Sequence, residues 1–150
     1  MAGGAAAGNV DPERAGSANF WWFEARAKGG AMKYLCLVYG EEQKIGEVDD
    51  RKCLAYDAAL RSRGLCIGSE ALEPVATATT VRVRNGRLSV TDGPFAETKE
   101  QLAGFYMIEA RDLNEAIQIA AKIPPAEVGS IEVRPIRPIR EQPRPERSAD

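Results

Sequence analysis

Histidine is absent from the 150 residues of this sequence, and cysteine and tryptophan are scarce. Without histidine there is no imidazole base, no Ser-His or Cys-His nucleophile pair, and no zinc site that needs a histidine ligand. The three cysteines show no C-x-x-C spacing, which would indicate a zinc ribbon or a redox dithiol. They are Cys36, Cys53 and Cys66. We therefore expect no metal, no cofactor, no disulfide framework and a reducing compartment.

Long apolar runs and a secretion signal are also missing from the sequence. Their absence predicts no membrane span and no export, so we expect a cytoplasmic protein. Positive charge is not concentrated in the central part of the chain, because residues 32–133 hold 12 basic and 16 acidic residues. This balance does not suit a phosphate backbone, and no nucleic acid partner is expected.

The apolar content, 44% of the residues, is enough for one small globular domain. The composition changes twice along the chain. Residues 1–31 contain nine Ala and six Gly, which is typical of a flexible leader. Residues 136–150 are rich in Pro and Arg, as in an extended tail. The predicted domain therefore spans residues 32–135.

Two interpretations stay open for the leader. Met32 directly precedes the first predicted strand, so residues 1–31 can lie upstream of the natural start of translation. Alternatively, the Trp21-Trp22 cluster, which holds both tryptophans of the chain, is an aromatic anchor that docks on a partner or on the domain itself.

Within the domain, two β-α-β units are predicted from the spacing of apolar residues. Their central strands are apolar on both faces, as strands covered on both sides require. Each helix begins at an aspartate that can cap it, and each ends at glycine or proline. In chain order the predicted elements are strand 33–39, helix 49–63, strand 66–72, strand 104–110, helix 112–123 and edge strand 130–134.

A β-hairpin is predicted between the two units. Val81 and Val83 alternate with polar residues before Asn85-Gly86, and the same alternation continues through Leu88 and beyond. Asn-Gly flanked by such alternation is typical of a two-residue type I′ turn. The turn fixes the register and places the apolar residues of both strands on one face.

The order of these elements predicts an α+β fold, a ferredoxin-like sandwich with an inserted β-hairpin. Two helices can cover only one face of the sheet, yet the two central strands are apolar on both faces. A second copy of the chain would cover the remaining face. We therefore expect a homodimer whose sheets pack face to face.

The segment after the hairpin carries a more specific signal. Asp92-Gly93-Pro94-Phe95 is followed by Glu97-Thr98-Lys99-Glu100, and the domain opens with MKYLCLVYG. Taken together, residues 32–135 resemble the DGPF-type branch of the YCII-related proteins. The resemblance implies the fold of the dimeric α/β-barrel superfamily, in agreement with the element order.

Two functional themes come with this resemblance. Distant relatives of this architecture include lactone isomerases and dehalogenases, and bacterial DGPF proteins are often encoded near extracytoplasmic-function sigma factors. In the better studied branch a His-Asp pair has been proposed as the active site. This sequence has no histidine, so that proposal cannot apply to it.

The loop that carries the signature is the candidate site. As catalytic residues we consider Asp92, Glu97 and Lys99, because crowded carboxylates beside an ammonium can supply an acid and a base without histidine. The residues expected to contact a substrate are Tyr34, Phe95 and Tyr106. The structural alternative is that the loop is only a tight turn followed by a capped helical turn.

The predicted function follows from these residues and from the resemblance. It is a small-molecule binding protein or an isomerase- or lyase-like enzyme that uses carboxylates. The alternative is a non-catalytic regulatory module linked to a sigma factor.

Overall fold

The computed structural model describes residues 30–139, and no helix in this range is long and apolar enough to cross a membrane. Within these residues there are six strands and three α-helices, with short 3-10 turns at Val75–Thr77 and Pro124–Glu127. The elements are β1 Met32–Gly40, α1 Glu42–Gly46, α2 Asp50–Ser62, β2 Cys66–Ala71, β3 Thr79–Arg84, β4 Arg87–Asp92, β5 Gln101–Ala110, α3 Leu113–Ala121 and β6 Ser130–Pro135.

Four strands form one antiparallel sheet in the order β2-β5-β1-β6. The first strands of the two β-α-β units, β1 and β5, lie side by side at the centre, and each unit contributes one edge strand. This arrangement confirms the predicted ferredoxin-like α+β fold. The predicted position of β6 at an edge is also confirmed, because β6 pairs with β1 alone.

One face of this sheet forms the core together with α2 and α3. The even-numbered residues of β1, and those of β5 from Gly104 onward, are buried on it. Among them are Tyr34 and Ile108, which are opposite each other in the register and 0% exposed. Leu60 of α2 and Ile119 of α3 are buried with them. Each large side chain buried in this way stabilises the fold by roughly 1.5–3 kcal/mol.

The reverse face of the sheet is only half-buried. Leu35 and Leu37 of β1 lie on it, beside Phe105 and Met107 of β5. These are the residues that the sequence pattern predicts to need a cover. We call this surface the reverse face below.

Both predicted helix caps are present. Asp49 accepts a hydrogen bond from the backbone N–H of Arg51 at 2.9 Å, and Asp112 accepts one from the backbone N–H of Glu115 at 2.8 Å. Such caps satisfy backbone groups that the first turn of a helix leaves unpaired. Gly64 follows α2 with a φ of 69°, the left-handed conformation that ends many helices.

The hairpin β3-β4 is a separate two-stranded sheet. Its turn residues Asn85 and Gly86 have φ angles of 51° and 72°, as the predicted type I′ turn requires. The predicted register is also confirmed, with Val81 opposite Val90 and Val83 opposite Leu88. We call these four apolar side chains the hairpin strip; all are exposed, by 57–67%.

The segment between the hairpin and β5 does not form the capped helical turn that was considered as an alternative to a site. It contains no helical turn, and β5 begins at Gln101. Instead of capping a helix, the Thr98 hydroxyl donates a hydrogen bond to the backbone carbonyl of Glu100. The short helix α1 was not predicted either, since its five residues carry too little periodicity to be noticed and no side chain caps it.

Candidate functional site

A cavity of about 520 Å³ lies between α2 and the helix-facing side of the sheet. Its volume is within the range of pockets that hold small molecules. Much of the wall is apolar and includes Val38 of β1, Ile45 of α1 and Leu54 of α2. The polar groups of the lining are Asp50, Cys53, Asp57, Ser69, Glu70 and Tyr106.

Asp57 is the most highly connected of these polar side chains. Its Oδ1 accepts hydrogen bonds from the Ser69 hydroxyl at 2.6 Å and from the Cys66 thiol at 3.2 Å. Its Oδ2 accepts one from Nε of Arg61, one helical turn further along α2, at 2.7 Å. Strand β2 runs beside α2 and so brings Ser69 and Cys66 within reach.

This network decides the charge of Asp57. Burial alone would raise the pKa of its carboxyl, but the hydrogen bonds from Arg61, Ser69 and Cys66 outweigh burial and hold the pKa below its usual value. Asp57 is therefore an ionised group at neutral pH. It presents fixed negative charge to the cavity wall.

Tyr106 projects from the central strand β5 into the same space. Burial raises the pKa of its hydroxyl, and the nearby Cys53, Asp57, Cys66 and Tyr56 raise it further, so the side chain is a neutral phenol. The ring of Tyr56 lies 6.2 Å from that of Tyr106, centroid to centroid. The Tyr56 hydroxyl donates a hydrogen bond of 2.6 Å to the carbonyl of Ile119, which ties α2 to α3 behind the cavity.

The cysteines near the cavity are protonated thiols. Burial, followed by the charges of Asp50 and Asp49, raises the pKa of Cys53. Burial also raises the pKa of Cys66 to about 11, with a further contribution from Asp57. A thiolate is the reactive form of cysteine, so neither side chain suits nucleophilic catalysis.

The sign of the charge around the cavity is uniform. Asp50, Asp57 and Glu70 line it, whereas the lining includes no lysine or arginine among residues 30–139. Arg61 lies outside the lining, and its guanidinium pairs with Asp57 and balances the charge of that carboxylate. Asp50 forms no ion pair within residues 30–139, so an anion in the cavity would meet an excess of negative charge.

Only one of the six predicted site residues, Tyr106, lines this cavity. Tyr34 lies on the same face of the sheet but is completely buried, and its hydroxyl is 3.9 Å from the sulfur of Met32. Phe95 is at the opposite extreme, 81% exposed, with the guanidinium of Arg82 at 5.8 Å from its ring centroid. The structure therefore does not bring the three aromatic residues together.

The three predicted catalytic residues are exposed and lie outside the cavity lining. Asp92 ends β4, and Glu97 lies in the loop that follows it. Lys99 pairs with Glu41, with its Nζ 3.4 Å from Oε1. A chemical role for Asp92, Glu97 and Lys99 stays a prediction.

Three polar residues of the cavity, Asp50, Asp57 and Ser69, were not predicted from the sequence. One signal was available, because Asp57 follows Cys53 by four residues and so lies on the inward stripe of α2. A charged residue on a buried helix face needs a partner or a function. The partners of Asp57 come from β2 as well as from α2, which is a pairing that local sequence does not disclose.

A four-stranded antiparallel sheet with helices on one face and a cavity beneath α2 defines a small ferredoxin-like α+β protein. Comparison with known protein families shows which family of this fold the chain belongs to. The YCII-related domain matches residues 32–140, and the chain belongs to this family. It is also similar to an uncharacterised protein of Rhizobium meliloti, with 49% identity over 114 residues, 70% of this chain and 92% of that protein. The predicted YCII-related family is thus confirmed.

Proposed function

We propose that this YCII-related protein binds a small, largely apolar molecule in the cavity between α2 and the sheet. The observation that carries the proposal is a space of about 520 Å³ in which a few polar groups converge on an apolar wall. Such a combination is typical of ligand sites. The ionised Asp57 and the neutral hydroxyl of Tyr106 would orient the ligand as acceptor and donor.

The charge of the lining favours a neutral or cationic ligand over an anionic one. An amine or a hydroxyl group can donate hydrogen bonds to the carboxylates of Asp50 and Asp57. A carboxylate would be repelled by the same groups. We therefore expect an amine-bearing or neutral compound of roughly aromatic size.

The protonation states favour binding over catalysis. An isomerase or lyase needs a base whose pKa is near the working pH. Three hydrogen bonds lower the pKa of Asp57, and burial raises those of Cys53 and Tyr106. Each of these three groups is held in a single protonation state at neutral pH. They would recognise a ligand rather than exchange protons with it.

We also propose that the chain acts as a homodimer joined through the reverse face. The half-buried side chains Leu35, Leu37, Phe105 and Met107 form a contiguous apolar surface at the centre of the sheet. A second copy of the same face would cover it about a two-fold axis.

Three probes of matched shape test the cavity: benzylamine, benzyl alcohol and benzoate. Saturable thermal stabilisation is expected with benzylamine, less with benzyl alcohol and none with benzoate. Ala71→Phe, which fills the cavity from β2, should abolish the response. Ala55→Phe, on the exposed side of α2 and outside the lining, is the control.

Each outcome bears on a different part of the proposal. If none of the three compounds stabilises the protein, binding in the cavity is contradicted. If benzoate binds best, the inferred ligand charge is wrong, and Asp50→Asn compared with Asp92→Asn checks this because only Asp50 lines the cavity. Stabilisation only by an extracytoplasmic-function sigma factor would support the regulatory alternative.

A further inference from the structure

The part of α2 that lines the cavity has a carboxylate at each end and less polar side chains between them. Its lining residues are Asp50, Cys53, Leu54 and Asp57. Their spacing, i, i+3, i+4 and i+7, places all four on one stripe of the helix. Seven residues of helix rise by roughly 10 Å, which is the separation of the two aspartates along the helix axis. A ligand that reaches both of them must therefore be elongated.

The two ends of this stripe differ in how their charge is balanced. At Asp57, Nε of Arg61 lies 2.7 Å from Oδ2, so an ammonium group placed there would be repelled by the guanidinium. Asp50 forms no ion pair within residues 30–139. A cationic group is therefore favoured at Asp50 and disfavoured at Asp57.

The surroundings of the two aspartates lead to the same assignment. Asp50 is exposed, so an ammonium beside it keeps part of its hydration, whereas Asp57 is half-buried. Tyr106 is opposite Ser69 in the register of β5 and β2, and Ser69 donates its hydroxyl hydrogen to Asp57. A neutral hydroxyl can both donate and accept a hydrogen bond. At this end of the cavity it can donate to Asp57 and accept from Tyr106.

We propose that the cavity takes an elongated amine that carries a hydroxyl group at its far end. The ammonium lies at Asp50, the hydroxyl lies between Asp57 and Tyr106, and the apolar body of the ligand lies along Leu54. This inference rests on the proposed function, since it names the ligand class of the same cavity. Asp50 and Tyr106 are then the residues that determine specificity.

A set of linear compounds tests this class by isothermal titration calorimetry on the full chain. Aminohexanol carries its amine and hydroxyl at opposite ends, and hexylamine and hexanol each carry only one of the two groups. Aminohexanol should bind roughly two- to tenfold more tightly than hexylamine, because it makes one more hydrogen bond. Aminopropanol is too short to reach both ends, so it should bind no more tightly than propylamine.

Two variants assign the ends of the ligand. Asp50→Asn should raise the dissociation constants of aminohexanol and hexylamine by about two- to fivefold and leave that of hexanol unchanged. Tyr106→Phe should remove the advantage of aminohexanol over hexylamine and leave hexylamine binding unchanged. A concentration of 1 M NaCl should suppress the effect of Asp50→Asn but not that of Tyr106→Phe. Asp92→Asn removes the same charge outside the cavity and is the control.

Several results would overturn the proposal. Equal effects of Asp50→Asn and Asp92→Asn would exclude the placement of the ammonium. A hydroxyl that strengthens propylamine as much as hexylamine would exclude the two-ended arrangement. This comparison uses the wild-type chain, so it holds even if Tyr106→Phe does not fold.

Benzylamine, which is short and has no hydroxyl, separates this inference from the proposed function. If benzylamine stabilises the protein while aminohexanol binds no better than hexylamine, the cavity binds a ligand but the class named here is wrong. If neither benzylamine nor aminohexanol binds, both proposals are contradicted.

Discussion

The helix-facing side of the main sheet and the hairpin strip have the same kind of sequence but opposite surroundings. Both are rows of apolar side chains on one face of paired strands, yet Ile108 is 0% exposed and Leu88 is 67% exposed. Alternation shows which face of a strand is apolar. What covers that face depends on elements elsewhere in the chain or in another molecule. In this protein α2 and α3 cover the sheet, and no described element covers the strip.

The largest expected effect comes from shortening a buried side chain and comparing it with an exposed one. Ile108→Ala should lower the free energy of unfolding by about 2–5 kcal/mol, because it leaves a cavity in the core. Leu88→Ala should change it by less than about 0.5 kcal/mol at concentrations where the chain is monomeric. Urea unfolding followed by circular dichroism measures both. Equal losses would mean that the strip is covered within one copy.

The next largest effect on stability is expected from replacing a carboxylate beside the cavity, compared with replacing one on the hairpin. Asp57 accepts three hydrogen bonds beside the cavity, whereas Asp92 on the hairpin has no ion pair among the described residues. Asp57→Asn should cost about 1–3 kcal/mol of stability at pH 7 because its donors lose a charged acceptor. Asp92→Asn should cost less than about 0.5 kcal/mol in the monomer.

The pH dependence of stability sharpens this second prediction. The pKa of Asp57 is lower in the folded chain than its usual value, so its contribution is complete above the unfolded pKa of about 3.9. That contribution is lost as the pH falls through the folded pKa. Asp57→Asn should flatten the acid limb of the stability profile. An unchanged acid limb would show that Asp57 is no more strongly bound than an exposed carboxylate.

Local patterns predicted most of the fold correctly. Asn85-Gly86 sets both the turn and the register of the hairpin, and Asp49 and Asp112 cap the helices as expected. These features depend on residues a few positions apart, so the sequence discloses them directly. Helix α1 was not predicted because its five residues are too few to show the repeat of apolar residues that marks a helix.

The site was predicted much less well. The signature loop predicted Asp92, Glu97 and Lys99 as site residues, and the structure places all three at the surface. Asp57, which lines the cavity, was not predicted. A cavity forms where α2, β2 and β5 meet, and those elements come together only in the folded chain. Tyr106 was the exception, since a tyrosine on a central strand must project toward one of the two faces of the sheet.

The smallest effect concerns Arg84 and Arg87, which are opposite each other at the tip of the hairpin. Like charges directly opposite each other destabilise a sheet, so Arg87→Gln should raise the free energy of unfolding by about 0.2–1 kcal/mol. Urea unfolding at low salt measures the gain, and 1 M NaCl should suppress it. An equal gain at both salt concentrations would show that repulsion between the two arginines is not its cause.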